Sequence, residues 1–123
     1  MAAARIPRVL VAVGKGWTEH DPEGEALRAV YAALPIGATI RVLCSEQDRK
    51  ICEQPHGFRF LSVTPWGKYI GFDQWDMMFL VHPYPAGSVR GRALAGEMNR
   101  RQIPVLLVKT IEEAKNWQYR ATQ

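Results

Sequence analysis

The chain is expected to fold as an α/β protein, a three-layer sandwich with helices on both faces of a mostly parallel sheet of about five strands. Two observations predict it: short, continuously apolar runs recur along the sequence, and stretches with helical spacing separate them. Arg8–Val13 (RVLVAV) is the first such run, of the kind buried on both faces of a parallel sheet, and Gly14-Lys15-Gly16 ends it. A helix should follow, with Asp21 as N-cap, Pro22 at the first helical position, and Glu23 and Glu25 in the first turn. Leu27, Val30, Tyr31 and Leu34 form its apolar stripe, and Pro35 and Gly37 stop it.

Thr39–Leu43 is predicted as the second strand, and Glu46–Gln54 as a short helix capped by Ser45. Phe58–Val63, Met77–Val81 and Pro104–Val108 complete the strands. Ser88–Gln102 is predicted helical, with Ala93, Leu94 and Met98 inward and Arg90, Arg92, Arg100 and Arg101 mostly outward. Ile111–Tyr119 should close the fold as a helix packed through Ile111, Ala114 and Trp117. Thr64–Trp75, rich in glycine and aromatics, is expected to be an ordered loop. Strands alternating with helices imply right-handed crossovers and a Rossmann-like plan.

One domain accounts for all 123 residues, since no repeat, low-complexity tract or linker interrupts them. With 47% hydrophobic and 23% charged residues, disorder is excluded, and no apolar run approaches the length of a membrane span. MAAARIPR lacks the apolar centre of a signal peptide, so a cytoplasmic location is expected. Cys44 and Cys52 are too few for a disulfide scaffold and are expected to be thiols. The net charge of +4 is uneven: residues 1–87 carry nine basic and nine acidic side chains, whereas residues 88–123 carry seven and three. An anion-seeking surface is therefore biased toward the last third of the chain.

In an open parallel sheet, ligands bind beyond the carboxyl ends of the strands, where loops converge and helix N-termini point inward. That rule gathers Gly14, Lys15, Gly16 and Trp17, then Cys44 and Ser45, then Trp66, Gly67 and Lys68, and finally His82, Tyr84, Gly87, Ser88 and Arg90. Gly14-Lys15-Gly16-Trp17-Thr18 lacks the third glycine of a dinucleotide fingerprint and the Gly-Lys-Ser/Thr of a P-loop. It reads as a turn needing positive φ or as a phosphate contact, with Lys15 as the cation and Trp17 as a stacking face. In Pro85-Ala86-Gly87-Ser88-Val89-Arg90-Gly91, two glycines, a hydroxyl and a guanidinium surround a helix N-terminus, which suits a phosphate or only caps a surface helix.

Glu97 is expected to pair with Arg100 or Arg101. Cys44, Cys52 and His56 do not have a zinc spacing, and no nucleophile with a His–acid relay can be assigned. His20 belongs on an exposed loop, and His82 is either a packed ring or a pocket wall. Trp17, Trp66, Trp75 and Trp117 come with no contiguous basic run, so nucleic acid is not the expected partner. A homo-oligomer, if formed, would use the aromatic Phe72–Phe79 region.

Residues Arg8–Leu34, with their strand, Gly-x-Gly-Trp-Thr turn, acidic cap and Ala-rich helix, resemble the start of the YspA-like, Rossmannoid SLOG superfamily. Trp66-Gly67-Lys68-Tyr69-Ile70-Gly71 is similar to the superfamily's Trp…Gly-Lys-x-x-Gly segment, and Met77–Val108 resembles its closing half. Where the superfamily usually has Gly-Gly-x-x-Gly-x-Asp, this chain has Leu43-Cys44-Ser45-Glu46-Gln47-Asp48, in which only Asp48 matches the acidic place. The base-releasing members' Pro-Gly-Gly-x-Gly-Thr-x-x-Glu motif has no glutamate counterpart in residues 85–94, and the deoxyribosyltransferases' nucleophilic carboxylate corresponds to Leu94.

The resemblance implies a reduced member whose fold survives and whose ligand site is altered; the leading expectation is a sensor that binds a nucleotide or nucleotide-derived small molecule, with no cofactor, metal or membrane partner expected from the sequence. Its expected contacts are Gly14, Lys15, Gly16, Trp17, Ser45, Trp66, Lys68, Gly87, Ser88 and Arg90. The alternatives are an N-glycosidic hydrolase using Glu97, Asp73 or Asp76, and a non-catalytic interaction protein, viral or from a mobile element, on a retired nucleotide fold. The nucleotide expectation requires Lys15 and Arg90 to share one rim.

Overall fold

Successive residues of a strand point to opposite faces of a sheet, so a wholly apolar strand must feed two cores. The computed structural model, which describes residues 6–53, 60–66, 74–83 and 88–117, has this arrangement. Strands β1 (Arg8–Val13), β2 (Thr39–Cys44), β3 (Phe60–Pro65), β4 (Met77–Val81) and β5 (Val105–Val108) form one sheet in the order β3-β2-β1-β4-β5. Every neighbouring pair is parallel, with Val11 opposite Val42 on one side and Phe79 on the other.

Val9, Val11 and Val13 of β1 meet Leu27, Val30 and Tyr31 of helix α2 (Glu25–Ala33) and Ala114 of helix α5 (Ile111–Asn116). Leu10 and Ala12 turn the other way, toward Met98 of helix α4 (Val89–Arg100). Helices on both faces of a five-stranded parallel sheet make the three-layer α/β, Rossmann-like sandwich that the sequence predicts. The Phe79 ring meets Trp117 edge-on, with centroids 4.8 Å apart. Lys115 pairs with Glu25 at 3.4 Å across the two helices of that layer. Among the described residues, no helix is long and apolar enough to cross a membrane.

Several boundaries differ from expectation for local reasons. A one-turn helix, α1 (Trp17–His20), intervenes before α2, with the His20 side chain exposed. Asp21 is not the adjacent N-cap, and Pro22 does not open α2; a turn closes through Gly24 N–H to the Asp21 carbonyl, and Gly24 stands at φ 68° before the helix. The Asp21 carboxylate still satisfies the first turn from a distance, accepting Glu25 N–H at 2.8 Å and Ala26 N–H at 3.0 Å. The segment expected as a single helix from Glu46 is a 3₁₀ turn, Glu46–Asp48, followed by α3 (Arg49–Cys52). Ser45 makes no side-chain cap to the turn, and its hydroxyl proton goes to Asp48.

β3 runs on through Thr64 and Pro65, which pair with Leu43 and Cys44, while positions 58 and 59 lie outside the described residues. α4 ends at Arg100 because Gln102 turns to φ 61°. Within it Ala93 is exposed rather than inward, and Gly91 takes the buried place, where an added Cβ would lie 2.5 Å from Leu80 Cδ1. The C-terminal helix ends at Asn116, since Trp117 is extended, and positions 118 and 119 lie outside the described residues. Trp75 and Phe79 are buried in the chain's own cores, so neither ring is exposed to meet a second copy, and positions 72 and 73 lie outside the described residues.

Candidate functional site

The strand order reverses between β1 and β4, because the chain steps from β1 to β2 and β3 on one side and to β4 and β5 on the other. Connections diverge at such a point and leave a crevice at the carboxyl ends. A cleft of about 540 Å³ occupies it. The turn after β1 contributes Lys15; the end of β2 contributes Cys44, Ser45 and Glu46; the end of β3 contributes Pro65 and Trp66. His82 follows β4, and Ser88, Val89 and Arg90 supply the start of α4. Lys15 and Arg90 therefore share the rim of one hollow.

Of the residues expected from sequence, Lys15, Ser45, Trp66, Ser88 and Arg90 line this cleft. Gly14 and Gly16 act behind it. Gly14 donates its N–H to the Val81 carbonyl at 2.9 Å, tying the turn to β4. A Cβ on Gly14 would overlap the His82 ring and lie 3.0 Å from His82 Cβ, so this glycine is required by close packing rather than by φ. Gly16 is the residue that needs the left-handed region, at φ 89°. Trp17 is fully buried in the α2-side core, with its indole N–H donated to Asp21, and is not placed to stack on a base. Lys68 and Gly87 lie outside the described residues.

Sequence reasoning missed one lining residue and the role of another residue already singled out. The first is Glu46, the only acid among the described lining residues. Its place just beyond the second strand was the available signal. The second is Asp48, which is fully buried and accepts hydrogen bonds from Thr18 Oγ1 at 2.5 Å and Ser45 Oγ at 2.8 Å. It ties the loop after β1 to the loop after β2, which is how two separate turns hold a common wall. Trp66 closes that wall by donating its indole N–H to the Val13 carbonyl at 3.1 Å. Since its one polar group is so used, the rest of the ring presents apolar surface.

Cys44 and Cys52 are free thiols, both buried. A hydrogen bond from Cys52 lowers the Cys44 thiol pKa, while the same bond and burial push Cys52 up, so Cys44 is the member of the pair that ionises first. Of the acids considered for catalysis, Glu97 and Asp76 do not line the cleft. Glu97 is bound to Arg100 and, at 3.0 Å, to Arg101. Asp76 lies at the other end of β4, accepting Arg8 N–H at 2.7 Å, and Asp73 is outside the described residues. Among the described residues, no hydrogen bond or ion pair engages Lys15 or Arg90, so both cations are available to a ligand.

Gly14→Ala is expected to cost about 1–3 kcal/mol of stability, because the added carbon must drive His82 from its place. Denaturant unfolding measures it. An unchanged midpoint would show that the ring moves aside freely and that the glycine is dispensable.

Comparison with protein-family models, with curated proteins and with solved structures finds no match to this chain. The site is therefore read from its own chemistry.

Proposed function

We propose that the cleft binds a nucleotide or nucleotide-derived small molecule by its phosphate, and that the protein works as a binding or sensing module of the SLOG type. The observation that carries this reading is the convergence of Lys15 and Arg90, from two different strand ends, on one cleft beside the start of α4. A phosphate placed there would gain charge-assisted hydrogen bonds from both side chains and sit near the positive end of a helix dipole. The Trp66 ring on the far wall suits the face of a base. The turns that resemble the SLOG superfamily are the ones that supply Lys15, Ser88 and Arg90. Binding is favoured over N-glycosidic cleavage because the two described acids of that alternative, Glu97 and Asp76, are held by arginines away from the cleft.

The test is calorimetric titration against mono-, di- and cyclic nucleotides and ADP-ribose derivatives, with Lys15→Ala and Arg90→Ala alongside. Each substitution is expected to weaken binding by about tenfold while leaving folding intact, as both side chains are exposed. Absence of binding by every compound at millimolar concentration would overturn the reading.

A further inference from the structure

The cleft has two chemically distinct flanks. Lys15 and Arg90 stand beyond β1 and β4, whereas Ser45 and Glu46 stand beyond β2, on the other side of β1. The Ser45 hydroxyl gives its single proton to Asp48, so toward the cleft its oxygen has only lone pairs to offer. Glu46 is likewise an acceptor. Among the described residues its one ion pair, to Arg49 at 3.5 Å, joins two solvent-exposed side chains and is weak, leaving carboxylate oxygen free to bind. Two adjacent acceptors, one of them charged, suit a ligand that carries two donors and disfavour a second anionic group.

A phosphorylated ribonucleoside has that pattern, with its phosphate at one end and a vicinal pair of hydroxyl donors at the other end of the sugar. We infer that Ser45 and Glu46 select the unphosphorylated 2′,3′-diol of a 5′-ribonucleotide, admitting ribonucleotides over their 2′-deoxy counterparts and over sugars phosphorylated at the 2′ position. This rests on the nucleotide reading given above and names the ligand class for the same site. Glu46 acts as a specificity residue, and Asp48 as the positioning residue that keeps the Ser45 proton turned away from the ligand.

The experiment titrates the protein with the four ribonucleoside 5′-monophosphates, their 2′-deoxy counterparts and adenosine 2′,5′-bisphosphate. The best ribonucleotide is expected to bind at least about tenfold more tightly than its deoxy form, and the bisphosphate more weakly than adenosine 5′-monophosphate. Glu46→Ala should collapse the ribo-to-deoxy ratio toward unity, and Glu46→Lys should reverse the order of the two adenosine compounds. Glu46 is exposed, so neither variant threatens the fold. Equal binding of ribo and deoxy forms by the native protein, or ratios unmoved by both substitutions, would overturn this inference and leave phosphate binding standing. Failure of all nine compounds at millimolar concentration would remove the nucleotide reading beneath it.

Discussion

Trp17→Ala is expected to lower the free energy of unfolding by about 3–5 kcal/mol, the range for truncating a large aromatic in a packed core. The side chain is fully buried against the α2-side layer, and its indole N–H ends on the Asp21 carboxylate at 3.1 Å. Truncation would leave a cavity and also remove one donor from a buried carboxylate that organises the first turn of α2. For a domain with about 5–15 kcal/mol in total, this is a large fraction. Urea unfolding should show the midpoint falling sharply with little change in slope. Trp66→Ala, by contrast, removes a half-buried ring from the cleft wall and should act more on ligand affinity. Full stability in Trp17→Ala together with lost nucleotide binding would put the Trp17 indole at the rim and contradict its placement in the core.

The second large effect is expected from Asp48→Ala, at about 3 kcal/mol. Two hydroxyl groups donate to this buried carboxylate, from Thr18 and from Ser45, and hydrogen bonds to a charged group are each worth about 1.5–3 kcal/mol. Removal leaves both hydroxyls with their protons unplaced and frees the two loops from each other. Asp48→Asn, which keeps one acceptor oxygen, should recover roughly half of the loss. Thermal unfolding of the two variants compares them directly. Equal stability of the native protein and Asp48→Ala would mean that the loops are held by packing alone.

The layers of this protein were legible because its strands are so apolar. Val9, Leu10, Val11, Ala12 and Val13 are all fully buried, so the central strand appears in the sequence as an unbroken run. The stripe Leu27, Val30, Tyr31 and Leu34 is buried at each expected position. What escaped the sequence lies in the turns, where side-chain hydrogen bonds decide the path. Asp21 looked like an ordinary N-cap, yet Gly24 at φ 68° inserts a turn and the carboxylate reaches the helix from farther back. Trp17 looked like a stacking face beside two glycines, but the single turn of α1 rotates it into the core. Five of the expected contacts do meet at the cleft, because strand ends in a parallel sheet share one edge. Glu46 was missed for the converse reason: an exposed acid in a short turn reads as surface until the neighbouring loops are in place.

The position of β1 also governs how the molecule assembles. Val9 pairs with Ile40 on one side and with Met77 on the other, so the strand nearest the amino terminus is completed by one that follows far along the chain. During synthesis, β1, β2 and α2 can associate early, but the cover of Leu10 and Ala12 is incomplete until Trp75, Met78, Leu80 and lastly Met98 have emerged. Such distant parallel pairing is slow, and the uncovered apolar face is a window for aggregation on the ribosome. Chaperone demand should therefore peak in the interval between emergence of the second strand and emergence of α4.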